Sequence, residues 1–191
     1  MGNKTEHHVK YYETHINDPP SPLLVKAMQF IPNPHKYQSA LDLGCGQGTD
    51  TGYLTALGFQ VTPVDKERAV IPYVARFGLT PLISPIEECD FPKQSYTLIN
   101  SQFALPFIRP NVFSTTFTKI IRLIRKNGIL VCNLFGNNDQ WTNGNDDITF
   151  LRVNEVRELL REMKTVYLDE REYDAFDLSR KKHWHVFDVI A

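Results

Sequence analysis

Short apolar segments alternate with longer amphipathic segments along most of the chain. Between the apolar segments, apolar residues at helical spacing begin near Thr49, Glu67 and Val112. Strands that alternate with helices in this way form a parallel sheet with right-handed crossover connections. The pattern therefore predicts an α/β fold with helices on both faces of the sheet. The segments that predict strands are residues 40–43, 60–64, 81–84, 96–101 and 129–134.

The two ends of the chain depart from this alternation. Near the start, a serine followed by a proline predicts a helix over residues 21–30. Near the other end, a helix predicted over residues 154–163 precedes two strand-like segments, 165–173 and 183–190. The link of about ten residues between these segments is too short for a helical crossover, so they should pair antiparallel. We predict a sheet of seven strands, mostly parallel, with an antiparallel last strand.

The chain has 191 residues, of which 42% are hydrophobic, enough for one sizeable core. We predict one domain over residues 1–191, in which an amino-terminal lid and helix over 1–38 precede a core over 39–191. The formal net charge of -1 argues against nucleic acid or an anionic membrane as partner, because both attract clustered positive charge. A small molecule is the expected partner, and the oligomeric state is left open.

The cysteines and the hydropathy of the chain bear on its location. Cys45, Cys89 and Cys132 are odd in number and far apart, which favours reduced, packed thiols. The first residues lack an apolar stretch of signal-peptide length, and no apolar run reaches the length of about eighteen residues that predicts a membrane helix. We therefore expect a cytoplasmic protein.

A glycine-rich turn carries the strongest chemical signal. A predicted strand ends in Gly44, Gly46 and Gly48, and a helix begins directly afterwards. Glycines let a ligand lie against bare backbone, and the first amides of a helix attract an anionic group. The next predicted strand ends in Asp65, where a carboxylate can accept hydrogen bonds from both hydroxyls of a ribose. Together these features predict a nucleoside site.

The spacing of the glycines bears on which nucleoside is bound. A dinucleotide fingerprint is GxGxxG, but here the pattern is GxGxG, and Thr49 stands at the sixth position. A nicotinamide-dependent oxidoreductase would also need a separate substrate domain, for which the chain has no residues left. The sequence DLGCGQG at residues 42–48 instead resembles motif I of the class I S-adenosylmethionine-dependent methyltransferases, and the resemblance covers almost the whole chain.

The resemblance implies a Rossmann-like three-layer sandwich and a set of residues that bind S-adenosylmethionine. Asp42 and the Gly44 to Gly48 loop would hold its methionine part, Asp65 its ribose, and Lys66 would lie near the adenine. Many family members place an acid after the third strand, but Pro85 stands there in this chain. The cofactor-binding residues implied in this way are Asp42, Gly44, Cys45, Gly46, Gly48, Asp65, Lys66, Ile86, Glu87, Ser101 and Gln102.

Within that family, three features resemble a small bacterial branch that includes tellurite-resistance-type methyltransferases. They are the polar and aromatic start, the PSPLL segment, and the stretch from Leu134 to Leu151. The implied activity is methyl transfer to a small-molecule acceptor. Two alternatives stay open: a protein that binds S-adenosylmethionine without turnover, and a nicotinamide-dependent oxidoreductase.

The acceptor should bind where the carboxyl ends of the strands meet the amino-terminal segment. Aromatic rings there can stabilise a sulfonium cation through their faces. The candidates for the acceptor pocket are Tyr11, Tyr12, Phe103 and Trp141.

Three histidines are candidate bases, namely His15, His183 and His185. The last two alternate with Lys182 and Trp184 along a strand, so they should share one face, and a structural role for both is the alternative. We predict no metal site, because no third ligand is spaced with them. The basic residues Arg180, Lys181 and Lys182 are expected to form a solvated turn.

Overall fold

The computed structural model describes residues 12–31, 38–92, 95–177 and 180–191. Its regular elements confirm the alternation of strands and helices that the hydrophobic pattern predicts. The helices are α1 (Pro22–Ala27), α2 (Thr49–Ala56), α3 (Ile71–Ala75), α4 (Pro110–Ile121) and α5 (Val153–Leu159). The strands are β1 (Gln38–Leu43), β2 (Phe59–Asp65), β3 (Leu82–Ile83), β4 (Tyr96–Ser101), β5 (Ile124–Gly136), β6 (Phe150–Leu151), β7 (Tyr167–Asp177) and β8 (Arg180–Ile190).

One sheet runs through the structure in the order β3-β2-β1-β4-β5-β8-β7, and β6 pairs with β5 beside this path. The first five strands are parallel, whereas β8 is antiparallel to both of its neighbours. The predicted α/β sandwich with an antiparallel last strand is thereby confirmed. The short β6 is an eighth strand that the hydrophobic pattern did not predict.

Alternate residues of the central strands point to opposite faces of the sheet. Leu130 and Cys132 of β5 pack in a core cluster with residues of α4 and α5, while Val131 packs in a second cluster with residues of α1 and α2. Helices therefore cover both faces, which makes the three layers. The three cysteines are buried and free, as expected.

The carboxyl-terminal hairpin differs from its prediction in length. The sequence pattern predicted a link of about ten residues, whereas β7 and β8 pair as far as Asp177 and Arg180. Charged residues such as those near the tip are poor strand formers on their own. Cross-strand pairing extends the strands there, because opposite charges such as Asp174 and Lys181 lie close to each other across the hairpin.

Candidate active site

The glycine-rich turn connects β1 to α2 at the carboxyl edge of the sheet. Gly44, Gly46 and Gly48 all have left-handed backbone angles, with φ of +72°, +50° and +76°. The amides of Gly44 and Cys45 donate to the carbonyl of Val64 at the end of β2, at 2.8 and 3.0 Å. The turn is thus tied to the neighbouring strand in a conformation that glycine adopts without strain.

The space around this turn suits a ligand that lies on bare backbone. A Cβ at Gly44 would lie 2.3 Å from the Cβ of Ala104, and a Cβ at Gly46 would lie 3.5 Å from the ring of Tyr12. A side chain at Gly44 would collide with the loop after β4, and one at Gly46 would touch the ring of Tyr12. The residues present therefore fit a group that approaches the main chain closely.

Asp65 lies at the end of β2 and is 8% exposed. Its carboxylate accepts hydrogen bonds from the amide of Gly46 at 3.0 Å and from the amide of Glu67 at 2.9 Å. Burial raises the pKa of Asp65, and these two amides act in the opposite direction. The carboxylate is held rigidly beside the glycine-rich turn, in position to accept further hydrogen bonds from hydroxyl groups.

Asp42 is completely enclosed at the end of β1. Its carboxylate accepts hydrogen bonds from the hydroxyl of Thr51 at 2.5 Å and from the amide of Asn100 at 2.8 Å. Burial, and then the nearby charge of Asp50, raise the pKa of Asp42 to about 7. A cation placed beside these two carboxylates would favour their ionised forms.

Asp50 belongs to the same hydrogen-bonded network, although the sequence analysis did not select it. It accepts from the backbone amide of Ser21 at 2.8 Å and from Asn100 at 3.0 Å. Gln102 donates to Asn100 at 2.8 Å and accepts from the Ser21 hydroxyl at 2.9 Å. The available sequence signals were an acid in the first turn of α2 and a buried asparagine in the apolar segment of β4.

The other predicted cofactor residues are distributed around this edge. Ser101 is buried and donates to the carbonyl of Leu43 at 3.3 Å, which makes it part of the sheet edge. Ile86 packs in the core cluster beside α4, and Glu87 next to it is half-buried. Lys66 is exposed. The structure thus gathers the predicted residues at one edge, with Ser101 and Ile86 largely committed to internal packing.

The described part of the amino-terminal segment packs against the glycine-rich turn. Tyr12 is buried in a cluster with Cys45, Val70 and Val74, and its ring meets Tyr73 edge-on at 5.6 Å. His15 follows in the same helical turn, and its carbonyl accepts from Gln47 at 3.3 Å. Tyr11 lies outside the described residues.

A cluster of aromatic rings lies beyond the carboxyl ends of β4 and β5. Phe103 has a left-handed φ of +52°, and its amide donates to the side chain of Asn133 at 3.3 Å. Such a conformation costs free energy in a residue other than glycine, and it holds the 40%-exposed ring toward this edge. The ring centroids of neighbouring members lie 5.4 to 6.2 Å apart. The cluster consists of Phe103, Phe107, Phe135, Trp141, Phe150 and Trp184.

The expectation that Lys182 lies on a solvated turn is wrong. Its side chain is 3% exposed, and its Nζ lies 2.7 and 2.8 Å from the two carboxylate oxygens of Asp139. The Nζ also lies 3.3 Å from the ring centroid of Trp184 and 3.9 Å from that of Trp141. The loop after β5 folds over β8 and supplies the carboxylate that makes this burial possible. Arg180 and Lys181 are exposed, as expected.

The two histidines of β8 differ in environment. His185 is buried, and its Nδ1 accepts from the amide of Asn138 at 3.1 Å while its Nε2 lies 3.0 Å from Glu170. His183 is half-exposed between two acids, and hydrogen bonds to Asp174 and then to Glu172 raise its pKa. These contacts favour the structural role over that of a base.

Neither a metal site nor a membrane span can be recognised in the described residues. Among them, no three His, Cys, Asp or Glu side chains are grouped so that they could hold a metal ion. None of the helices described is long and apolar enough to cross a membrane.

The part of the chain that contains the glycine-rich turn is similar to known proteins. Residues 41–132 match the family described as "Methyltransferase domain". An uncharacterized methyltransferase of Bacillus subtilis, YodH, is 30% identical over 104 residues, which cover 51% of this chain and 43% of that protein. This chain thus spans less than half the length of that relative.

Solved structures extend the similarity to the whole fold. TehB from Haemophilus influenzae superposes with a TM-score of 0.74 at 17% identity, over 88% of this chain and 60% of TehB. The N-methyltransferase NodS from Bradyrhizobium japonicum, solved with S-adenosylhomocysteine, gives 0.61 at 14% identity, over 95% and 98% of the two chains. The predicted fold is confirmed, and the family match and the S-adenosylhomocysteine bound to NodS agree with the predicted family and cofactor. Residues 41–132 of this chain match the methyltransferase domain family, and the chain has the Rossmann-like fold of S-adenosylmethionine-dependent methyltransferases.

Proposed function

We propose that this protein transfers a methyl group from S-adenosylmethionine to a small-molecule acceptor. The observation that carries the proposal is the glycine cradle at the end of β1, flanked by the Asp65 carboxylate on one side and by the buried Asp42 and half-buried Asp50 on the other. S-adenosylmethionine, when bound, supplies an electrophilic methyl group on a positively charged sulfur.

Each part of this edge has a role in the proposal. Asp65 binds the two ribose hydroxyls, since it is fixed by backbone amides and needs no reorganisation. Asp42 and Asp50 stabilise the amino group of the methionine part, because their burial makes a neighbouring cation favourable. At the adenine site Pro85 offers no side-chain acceptor, so the adenine packs on Ile86 with Glu87 beside it.

The acceptor side is rich in aromatic rings. Methyl transfer is a displacement from a good leaving group, so positioning the acceptor in a dry pocket can supply most of the rate. Phe103 and Trp141 are proposed to wall this pocket, and a dedicated base is not required for a soft nucleophile. Where a proton must be removed, His15, His183 and His185 stay the candidates to test. A cytoplasmic location stays a prediction from the sequence.

Thermal unfolding with different nucleosides tests the cofactor directly. We expect S-adenosylmethionine and S-adenosylhomocysteine to raise the melting temperature, and NAD and ATP to leave it unchanged, because a ligand stabilises the state that binds it. Equal stabilisation by NAD would favour the oxidoreductase alternative. Transfer of a labelled methyl group to a panel of thiols, amines and oxyanions then separates an enzyme from a binding protein without turnover.

Replacing Asp65 with alanine is expected to weaken cofactor binding with little change in fold. The loss should be about 1.5 to 3 kcal/mol, the range for hydrogen bonds to a charged group. Calorimetric titration with S-adenosylhomocysteine measures it. Glu88→Ala is the matched control, because it removes an exposed acid from the loop after β3. Equal affinity of Asp65→Ala and the parent would show that the ribose is held elsewhere.

Cofactor affinity is expected to rise with pH through about 7, where the raised pKa of Asp42 places its ionisation. Below that pH the carboxyl is protonated in the free protein, so binding a cationic amino group must release a proton. The affinity should therefore fall by up to about tenfold per pH unit on the acidic side. Titrations from about pH 5.5 to 7.5 measure this dependence.

Asp42→Asn is the control for the pH prediction, and its affinity should be flat with pH where that of the parent is not. A flat profile in the parent would contradict the assignment. The folding stability of the free protein should change with pH in the opposite direction to the cofactor affinity. A raised carboxyl pKa contributes stability that is complete below the ordinary value of 3.8 and is lost as pH rises through about 7.

We expect deletion of residues 1–17 to abolish most methyl transfer while the fold is kept. The proposal is that this segment is a lid over the sulfonium and that Tyr11 or Tyr12 contributes a ring to the pocket. Tyr12 already contacts the glycine-rich turn, so some loss of cofactor affinity should accompany the loss of turnover. A shorter deletion that retains Tyr11 and Tyr12 is the control. Unchanged turnover in the longer deletion would rule out the lid.

A further inference from the structure

A cleft of about 410 Å³ opens between the loop after β5 and the start of β8. Its size is that of a small-molecule site. The lining combines three cationic side chains, two amides and one indole, and it includes no carboxylate from the described part of the chain. The lining residues are Gln140, Trp141, Asn143, Arg180, Lys181 and Lys182.

The three cations of the cleft differ in how far they are already neutralised. Lys182 is buried and paired with Asp139. Lys181 lies 3.0 Å from Asp174, but both side chains are largely exposed, so water screens this pair. Arg180 is exposed, and its register partner across the hairpin is Asp177. The lining therefore presents an exposed guanidinium, a group that binds a carboxylate through two parallel hydrogen bonds.

A row of aromatic rings joins this cleft to the cofactor edge. Trp141 lines the cleft and lies 5.4 Å from Trp184, measured between ring centroids. Trp184 lies 6.1 Å from Phe103, which directly follows Gln102 of the hydrogen-bonded network at the end of β4. A planar molecule in the cleft can thus pack on the indole of Trp141, at the end of this row that is away from Phe103.

We propose that the cleft binds the methyl acceptor and that the acceptor is a planar organic carboxylate. Arg180 binds the carboxylate, and Trp141 packs against the planar part. The nucleophilic atom lies at the other end, toward Phe103. The claim that the bound molecule is the methyl acceptor rests on the proposed function. The claim that the cleft binds a carboxylate does not.

The binding test uses benzoate and its neutral analogue benzamide, without cofactor. Trp141 and Trp184 are the two tryptophans of the chain, so its intrinsic fluorescence reports on this cluster alone. We expect benzoate to change the fluorescence in the low millimolar range, and to bind at least about tenfold more tightly than benzamide, because it adds charge-assisted hydrogen bonds. Added salt should weaken the binding of benzoate and leave the binding of benzamide unchanged.

Three variants assign the preference to Arg180. Arg180→Gln should abolish the preference for benzoate, and Arg180→Lys should keep part of it. Arg125→Gln removes an equal charge from the opposite end of β5, and it should bind both probes like the parent. Equal binding of benzoate and benzamide by the parent, unchanged binding in Arg180→Gln, or no benzoate signal up to about 20 mM would overturn the inference.

A methyl-transfer test asks whether the bound carboxylate is the acceptor. The probes are para-mercaptobenzoate, para-aminobenzoate and para-hydroxybenzoate, each beside its carboxamide. In each case the nucleophile's lone pair forms the bond to the methyl carbon, the sulfonium carbon–sulfur bond breaks to give S-adenosylhomocysteine, and the displaced proton passes to the buffer. For the carboxylate that is methylated, Arg180→Gln should raise KM and leave kcat unchanged.

The outcomes separate this inference from the proposed function. The acceptor role would be overturned if a carboxamide were methylated as efficiently as its carboxylate. It would also be overturned if none of the three carboxylates were methylated. A failure of S-adenosylhomocysteine to stabilise the protein would instead overturn the proposed function, because the benzoate titration needs no cofactor.

Discussion

The substitution Asp139→Asn is expected to destabilise the fold by about 3 to 5 kcal/mol, the usual cost of breaking a buried ion pair on one side. Asparagine keeps the shape of the side chain, but it leaves the ammonium of Lys182 enclosed by rings without its counter-charge. For a chain of this length, the melting temperature should fall by roughly 10 °C. Thermal and urea unfolding measure the loss.

The double variant Asp139→Asn with Lys182→Met provides the control. Removing both charges leaves two neutral side chains among the rings, and it should restore at least half of the lost stability. Asp174→Asn, which breaks the exposed contacts with Lys181 and His183, should cost far less, because water screens them. A loss from Asp139→Asn as small as that from Asp174→Asn would show that the buried pair is not needed to hold the loop after β5.

The second large effect is expected from Gly44→Ala, which should lower stability by about 2 to 4 kcal/mol and severely weaken cofactor binding. Left-handed backbone costs roughly 1 to 2 kcal/mol for alanine, and the new Cβ would lie 2.3 Å from the Cβ of Ala104. Relief of this overlap moves the loops after β1 and β4 apart, which displaces the amides of the cradle. Unfolding and calorimetry with S-adenosylhomocysteine measure the two effects.

Two further variants separate strain from overlap. Gly58 has a φ of +87° with no atom within 4 Å of a built Cβ, so Gly58→Ala carries the backbone strain alone and should leave cofactor affinity unchanged. Adding Ala104→Gly to Gly44→Ala removes the overlap, and it should recover most of the affinity. If Gly58→Ala and Gly44→Ala weakened cofactor binding equally, the close contact with Ala104 would have no role in shaping the cradle.

Some features of the site are local in sequence, and these could be predicted. The glycine-rich turn, the acid at the end of β2 and the helix that follows the turn depend on neighbouring residues and on the periodicity of strands and helices. Asp65 was found because a predicted strand ends at it, and Asp42 because it belongs to the segment that resembles methyltransferase motif I. Asp50 and Asn100 escaped notice, because their link to Asp42 joins residues that are distant in sequence.

The sequence by itself determined the α/β sandwich, the antiparallel last strand and the glycine-rich turn, since repeating hydrophobic periods and a glycine turn express local backbone preferences. The resemblance of that turn to motif I of the methyltransferases then pointed to the cofactor. Only the tertiary structure decided that Lys182 is buried, that both nitrogens of the His185 ring are occupied, and that six aromatic rings meet beside the site. A lysine side chain is expected at the surface, because moving its charge out of water costs several kcal/mol. Asp139 offsets that cost from 43 residues away, and only the folding of the loop after β5 onto β8 brings the two charges together.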